Sequence, residues 1–163
     1  TVADALHDQG HSHQRFLITP TIFNNVLWNV VVDTGDSFLL AQHSIFDEIP
    51  LHFQAVSKGH ELLHNMDSDE TIGVLQWFSA GYLNAVRRSD GALQLNDLRF
   101  GTFSVRAENA DDYIFRFDLL EHGPTEPYGF KRAEGGPPDK KAEEMMLELF
   151  HRASGLSLED SPS

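Results

Sequence analysis

The chain has 163 residues, a length that suits one compact domain rather than two. Its 12 Lys and Arg against 25 Asp and Glu give a net charge of −13, and the basic residues come at most in pairs (Arg87-Arg88, Lys131-Arg132, Lys140-Lys141), which argues against a nucleic-acid partner. A hydrophobic share of 40% with 12 Phe excludes an acidic disordered chain, and the absence of cysteine removes disulfides, thiolate metal sites and Cys nucleophiles together.

Residues 1–15 are polar, hold His7, His11 and His13, and read as a linker or frayed helix outside the core. The chain starts Thr-Val-Ala-Asp, without Met or an apolar leader, so it reads as a mature product or a piece of a longer protein. Residues 16–155 are expected to form one domain, which Pro20 punctuates at its entry. Apolar residues at 26, 28, 30 and 32, with a second row at 27 and 31, predict a largely buried strand. Asp33-Thr34-Gly35-Asp36 then turns it back into Phe38–Ala41, and a third short strand is expected over Leu51–Val56.

Two helical stretches follow, Ser57–Asn65 and Asp67–Ser79. Asp67 and Glu70 would cap the second, Ile72, Leu75, Phe78 and Val74 would face the core, and Gly81 would stop it. Strands are predicted at Tyr82–Arg87, at Leu93–Phe100 with a bulge near Asn96-Asp97, and at Tyr113–Leu119, with Ser89-Asp90-Gly91 as a turn. A Pro- and Gly-rich loop leads to Pro138. Beyond it Ala142, Met145, Met146, Leu149, Phe150 and Ala153 trace one stripe of a helix between Asp139 and Gly155, and residues 156–163 read as a disordered tail. Neighbouring strand pairs with helices between and after them predict α+β: an antiparallel sheet of about six strands with two or three helices on one face.

The sharpest chemical motif is His60-Glu61-Leu62-Leu63-His64. On an α-helix, His60 and His64 would share one face and could hold zinc while Glu61 activates a bound water for hydrolysis. Lys58-Gly59 before it and Asp67 after it leave little room for a long helix, and Glu70 stands where the extended motif places a third His. The plainer alternative makes both histidines surface groups, with Leu62 and Leu63 facing inward. Without a strand or helix to hold them, the N-terminal histidines offer no ligand geometry, and Met145 and Met146 read as core filler. Trp28 and Trp77 read as core or as the wall of a small-ligand pocket. Asp97 and Arg99, two apart on a strand, could pair with each other or aim at a ligand.

The succession Ile18-Thr19-Pro20-Thr21, Val26-Leu27-Trp28-Asn29-Val30-Val31, Gln76-Trp77-Phe78-Ser79-Ala80-Gly81-Tyr82 and Asp97-Leu98-Arg99-Phe100-Gly101 resembles the soluble C-terminal part of YdjM-like bacterial membrane proteins, called membrane-bound metal-dependent hydrolases. The likeness runs over about residues 14–155. It implies an inner-membrane protein whose upstream membrane helices hold the metal-binding His and Asp residues, with a divalent metal such as zinc bound there. None of those positions lies in this chain, so no metal ligand carries over. The resemblance further implies that the domain's partner is its own transmembrane half in cis, that residues 1–15 are a juxtamembrane connection, and that the domain has an accessory role in substrate binding, regulation or docking, with an unidentified small-molecule or lipid-related substrate. HELLH falls between the matching segments and takes no role from them.

Overall fold

The computed structural model describes residues 1–21, 24–47, 50–64, 66, 69–104, 106–120 and 129–133. The fold is α+β, and among the described residues the strands form two antiparallel sheets of four rather than one of about six. In the first sheet β1 (Arg15–Thr21), β2 (Asn24–Asp33), β3 (Ser37–Ser44) and β4 (Gln54–Ser57) lie side by side in chain order; in the second, β5 (Leu83–Arg87), β6 (Leu93–Asp97), β7 (Arg116–Leu120) and β8 (Gly129–Arg132) do the same.

Two strands account for the difference in number, and both are edges. β1 carries Pro20 paired with Trp28, and a register shift follows at Pro20/Thr21; a proline cannot donate to a ladder, so an edge accepts it where a central strand would not. β8 is mostly exposed and has only Phe130 as a large apolar residue, so it lacks the alternation that marks a strand.

β2 is the spine of the first sheet, paired to β1 on one side and β3 on the other. Its period of two sends Val30 and Val32 to one face, where Leu39, Ala41, Leu51 and Leu6 meet them, and Val31 to the other, where Phe38, Val56, Tyr82, Leu98 and Tyr113 gather. Leu6 belongs to α1 (Val2–Asp8), whose first turn is closed by a reciprocal cap between Thr1 and Asp4. The N-terminal stretch therefore supplies part of the core, with Leu6 0% exposed, instead of lying outside it.

The second core lies under α2 (Glu70–Phe78), where Ile72 and Leu75 pack with Leu63, Leu83, Leu95, Phe117 and Leu119. Asp69 caps this helix through the Thr71 amide, so the start falls at Asp69 and Glu70 is the first helical residue. Phe78 and Val74, expected to face inward, are exposed. Each helix packs on its own sheet, so the expectation of helices gathered on one face of one sheet gives way to two helix-and-sheet layers.

At residues 96–97 no bulge forms. All five residues of β6 are buried, and the change of parity marks the end of the strand, where a 3-10 turn (Leu98–Phe100) begins. The strand expected from Tyr113 starts only at Arg116; Tyr113 makes an isolated bridge with Thr102. The helix expected between Asp139 and Gly155 and the tail 156–163 lie outside the described residues.

Leu6→Ala removes a side chain enclosed by sheet residues, and a loss of about 2–5 kcal/mol in urea unfolding is expected, with the m-value unchanged. A loss near zero would mean that α1 is not part of the cooperative unit.

Candidate functional site

The polar residues of the interior collect where the two sheets meet. Asp33, at the end of β2, is nearly removed from solvent and accepts from Lys58 Nζ at 2.6 Å, from Arg15 Nε at 3.3 Å and from the Gly35 amide at 3.0 Å. Lys58 follows β4 and Arg15 opens β1, so the cluster ties three points of the first sheet. Lys58 Nζ also lies 4.7 Å from the centre of the Phe38 ring, and the Arg15 guanidinium 4.2 Å from that of Tyr82. From there Arg15 Nη1 donates to the Ala80 carbonyl at 2.8 Å, reaching the entry of the second sheet.

Burial alone would raise the Asp33 carboxyl, but the bonds from Lys58, Gly35 and Arg15 outweigh it and hold Asp33 below the ordinary carboxylate range. It is therefore ionised at neutral pH and its oxygens are occupied, which makes it a structural counter-ion rather than a proton carrier. Burial pushes the Tyr82 phenol up, Arg15 pulling against it and the Asp33 charge adding to it. The Tyr113 phenol is likewise raised by burial, against the hydrogen bond from Asn84. Neither phenol is prepared as a nucleophile or a base.

A chain of amides continues from this cluster. Asn84 Nδ2 donates to Tyr113 Oη at 3.2 Å and to the Ser57 carbonyl at 3.3 Å, while its Oδ1 accepts from Asn96 Nδ2 at 2.9 Å. Asn96 Oδ1 accepts from Gln94 Nε2 at 2.6 Å, which also reaches the Ala110 carbonyl at 2.8 Å. On the first sheet Gln42 Nε2 donates to Asn29 Oδ1 at 3.2 Å and to the Thr102 carbonyl at 3.1 Å. Gly101 lies against Asn29 so closely that an added Cβ would come within 2.2 Å of Nδ2, and its φ of +76° favours glycine as well. A cavity of about 10 Å³ lies among Asn29, Gln42, Gly101 and Thr102, the size of a single water site and far below a substrate pocket.

Asp97 and Arg99 pair with each other at this junction. Asp97 is fully buried, caps the 3-10 turn through the Arg99 amide, and takes the guanidinium on both oxygens at 2.6–3.2 Å. Thr19 Oγ1 in turn donates to the Arg99 carbonyl at 2.9 Å, which fastens β1 to the same turn. Trp28 lies in β2, paired with Pro20 and His43. Trp77 stands on the outer side of α2, 81% exposed, so it walls no pocket and belongs to no core.

The HELLH string forms one turn of 3-10 helix, His60–Leu62, after Gly59. The 3-10 turn takes in His60–Leu62 alone, with Leu63 as its C-cap, so the α-helix on which His60 and His64 would share a face does not form here. His64 Nδ1 lies 2.9 Å from the Glu61 carbonyl, and both histidines and Glu61 are exposed. The turn is short because Gly59, at φ +68°, passes so close to the Ala85 carbonyl that a Cβ would sit 2.1 Å from its oxygen, and Lys58 is held at Asp33. The α-helical setting that the motif's spacing presumes is thus absent at residues 60–62, and among the described residues no three His, Asp or Glu side chains gather as a metal site.

The sequence singles out Asp97 and Arg99 but not Arg15, Asp33 or Lys58, which read as linker, turn and helix. The available signal was Asn29, a polar residue interrupting an apolar strand, which is where the second sheet's loop docks.

Asp33→Asn leaves Lys58 buried beside a neutral amide, and a destabilisation of about 3–5 kcal/mol is expected, with a coupling in the double-mutant cycle with Lys58→Met. Because the Asp33 pKa is depressed on folding, its contribution is present above the unfolded value near 4 and fades as pH falls through the folded one. The stability gap between the natural chain and Asp33→Asn should therefore narrow below about pH 4; a gap constant down to pH 2 would contradict the ionised pairing. For HELLH, zinc titration by calorimetry should show no stoichiometric uptake that His60→Ala or His64→Ala removes. A one-to-one site lost in both variants would restore the metal reading.

No protein-family model, curated protein or solved structure matches the chain. Its functional reading rests on its own residues.

Proposed function

We propose that this chain is the water-exposed accessory domain of a membrane-bound metal-dependent hydrolase of the YdjM-like kind, joined in cis to a membrane-embedded half that holds the metal and performs the reaction at the bacterial inner membrane. The observation that supports it is where the segments behind the resemblance meet. Thr19 of the first bonds the Arg99 carbonyl of the last, and Asn29 of the second packs on Gly101 of the last. Ala80 of the third receives Arg15 just ahead of the first. Residues shared in this succession are thus spent on locking one sheet to the other, as a framework requires, rather than on holding open a reactive centre. Among the described residues no helix is long and apolar enough to cross a membrane.

The test has two arms. The coding sequence upstream of Thr1 should specify several membrane spans, and the 163-residue chain supplied with zinc should show no hydrolysis of ester or phosphodiester probes that the membrane-inserted whole protein cleaves. Asp97→Asn in the whole protein should lower unfolding stability by about 1–3 kcal/mol while leaving its metal content unchanged. Turnover by the isolated chain, or metal loss on Asp97→Asn, would overturn the reading.

A further inference from the structure

The outer side of α2 is apolar where a helix packed on a sheet is ordinarily polar. Ile72 and Leu75 face the core, while Val74 and Trp77 on the opposite side are 46% and 81% exposed, and Phe78 beside them is 43% exposed. The apolar layer continues onto the second sheet, where the Phe78 ring lies 6.3 Å from that of Phe117 and the Phe117 ring 5.5 Å from that of Phe130, itself 44% exposed. One position breaks the run. Gly73 sits in the middle of the helix, where glycine is less stable than alanine, yet a Cβ there would meet no described atom within 4 Å and the backbone is not left-handed. Packing among the described residues gives no reason for a glycine at this place.

We propose that this face binds a second copy of the chain, with α2 antiparallel to α2 across a two-fold axis and Trp77 of each copy seated over Gly73 of the other. Gly73 and Trp77 stand at i and i+4, so a hollow and a large ring share one stripe, and a two-fold axis between them brings each ring to the other copy's hollow. The same operation matches charge. Glu70, exposed at the start of α2 and on the same stripe, is carried toward the other copy's Phe78 end. There Arg99 lies 5.4 Å from the Phe78 ring, and Arg132 lies 4.6 Å from the ring of Phe115, which stacks on Phe78. In a chain of net charge −13, two guanidiniums beside an apolar stripe let copies approach where a uniformly acidic surface would repel. At about 150–250 Å² per aromatic side chain, the exposed fractions of Trp77, Phe78 and Phe130 supply about 350 Å² from each copy. With Val74, Glu70 and Arg132 around them the pair passes about 1,000 Å², where weak specific interfaces begin. The pairing needs the chain alone, so its test is separate from that of the membrane half.

Sedimentation equilibrium of the 163-residue chain should show monomer and dimer in exchange with a micromolar Kd. Trp77→Ala should weaken the dimer about ten-fold or more. Gly73→Leu separates a shaped interface from general stickiness. It adds apolar surface and a better helix former, so it should raise the urea midpoint of the monomer, yet by filling the hollow it should weaken dimerisation about ten-fold. The natural chain has no cysteine, so Val74→Cys, beside the proposed axis, should form an intermolecular disulfide about ten times faster than Ser12→Cys on an exposed loop. That readout carries the comparison should Trp77→Ala or Gly73→Leu fail to fold. A chain that stays monomeric up to about 1 mM, a dimer that survives Trp77→Ala, a dimer strengthened or left unchanged by Gly73→Leu, or equal disulfide rates overturns the proposal. A monomeric chain that sediments with phosphatidylglycerol vesicles and loses this with Trp77→Ala assigns the face to a bilayer, which overturns it too.

Discussion

A carboxylate with two cations around it, taken almost wholly out of water, sets the terms for the rest of this molecule. Asp33 ends β2, Lys58 follows β4 and Arg15 begins β1, so one ion cluster fixes the far end of the first sheet across three strands. Such a cluster adds little net stability over an apolar replacement, because desolvation consumes most of the Coulombic gain, but it tolerates few alternative arrangements. Lys58 held at Asp33 directs its own carbonyl to the Ala85 amide at 3.0 Å, which is where β5 is seated, and Gly59 must then pass over Ala85 without a side chain. Arg15, stretched over Tyr82 to the Ala80 carbonyl, holds the other approach to the same strand. The second sheet is thus positioned by side chains whose first partner is in the first.

The amide network extends the same logic. Asn84, Asn96 and Gln94 are buried side by side on β5 and β6, a costly placement unless each finds partners, and they find them in one another, in Tyr113 and in backbone carbonyls of Ser57 and Ala110. A purely apolar interface could slide. An interface of directional bonds between strand side chains and loop carbonyls has one register, and the loop from Leu98 to Tyr113 is placed by it.

How far the residues disclose this follows from what each signal measures. The β2–β3 hairpin was legible because alternation and a turn sequence agree, and α2 because its spacing is helical; α+β follows from their order. Which side of α2 faces inward was not legible, since Ile72 and Leu75 on one side and Val74, Trp77 and Phe78 on another are apolar alike, and only the sheet beneath decides. The edges β1 and β8 were missed because exposed edge strands need no alternation. HELLH has the spacing of a metal motif, but spacing presumes an α-helix, and the winding of residues 60–62 depends on Lys58 and Gly59 being pinned from a distance. Asp33 was legible as a turn residue, which it also is, through the Gly35 amide; its second use required knowing that residue 58 comes back beside it.

Residue types that advertise chemistry in a sequence, the amides, Asp97 with Arg99 and the Asp33 cluster, are here consumed by construction. Apolar residues, which advertise only a core, supply the surface left open to contact. The inversion has a physical cause. A small two-sheet domain encloses little volume, and β2, buried on both faces, already uses the strongest hydrophobic pattern in the chain. Joining a second sheet to it by polar bonds gives orientation without further apolar area, and frees the aromatic residues of α2 and the second sheet to form a continuous outer layer from Trp77 to Phe130. That layer faces outward, whereas the polar groups of the junction are enclosed between the sheets they hold together.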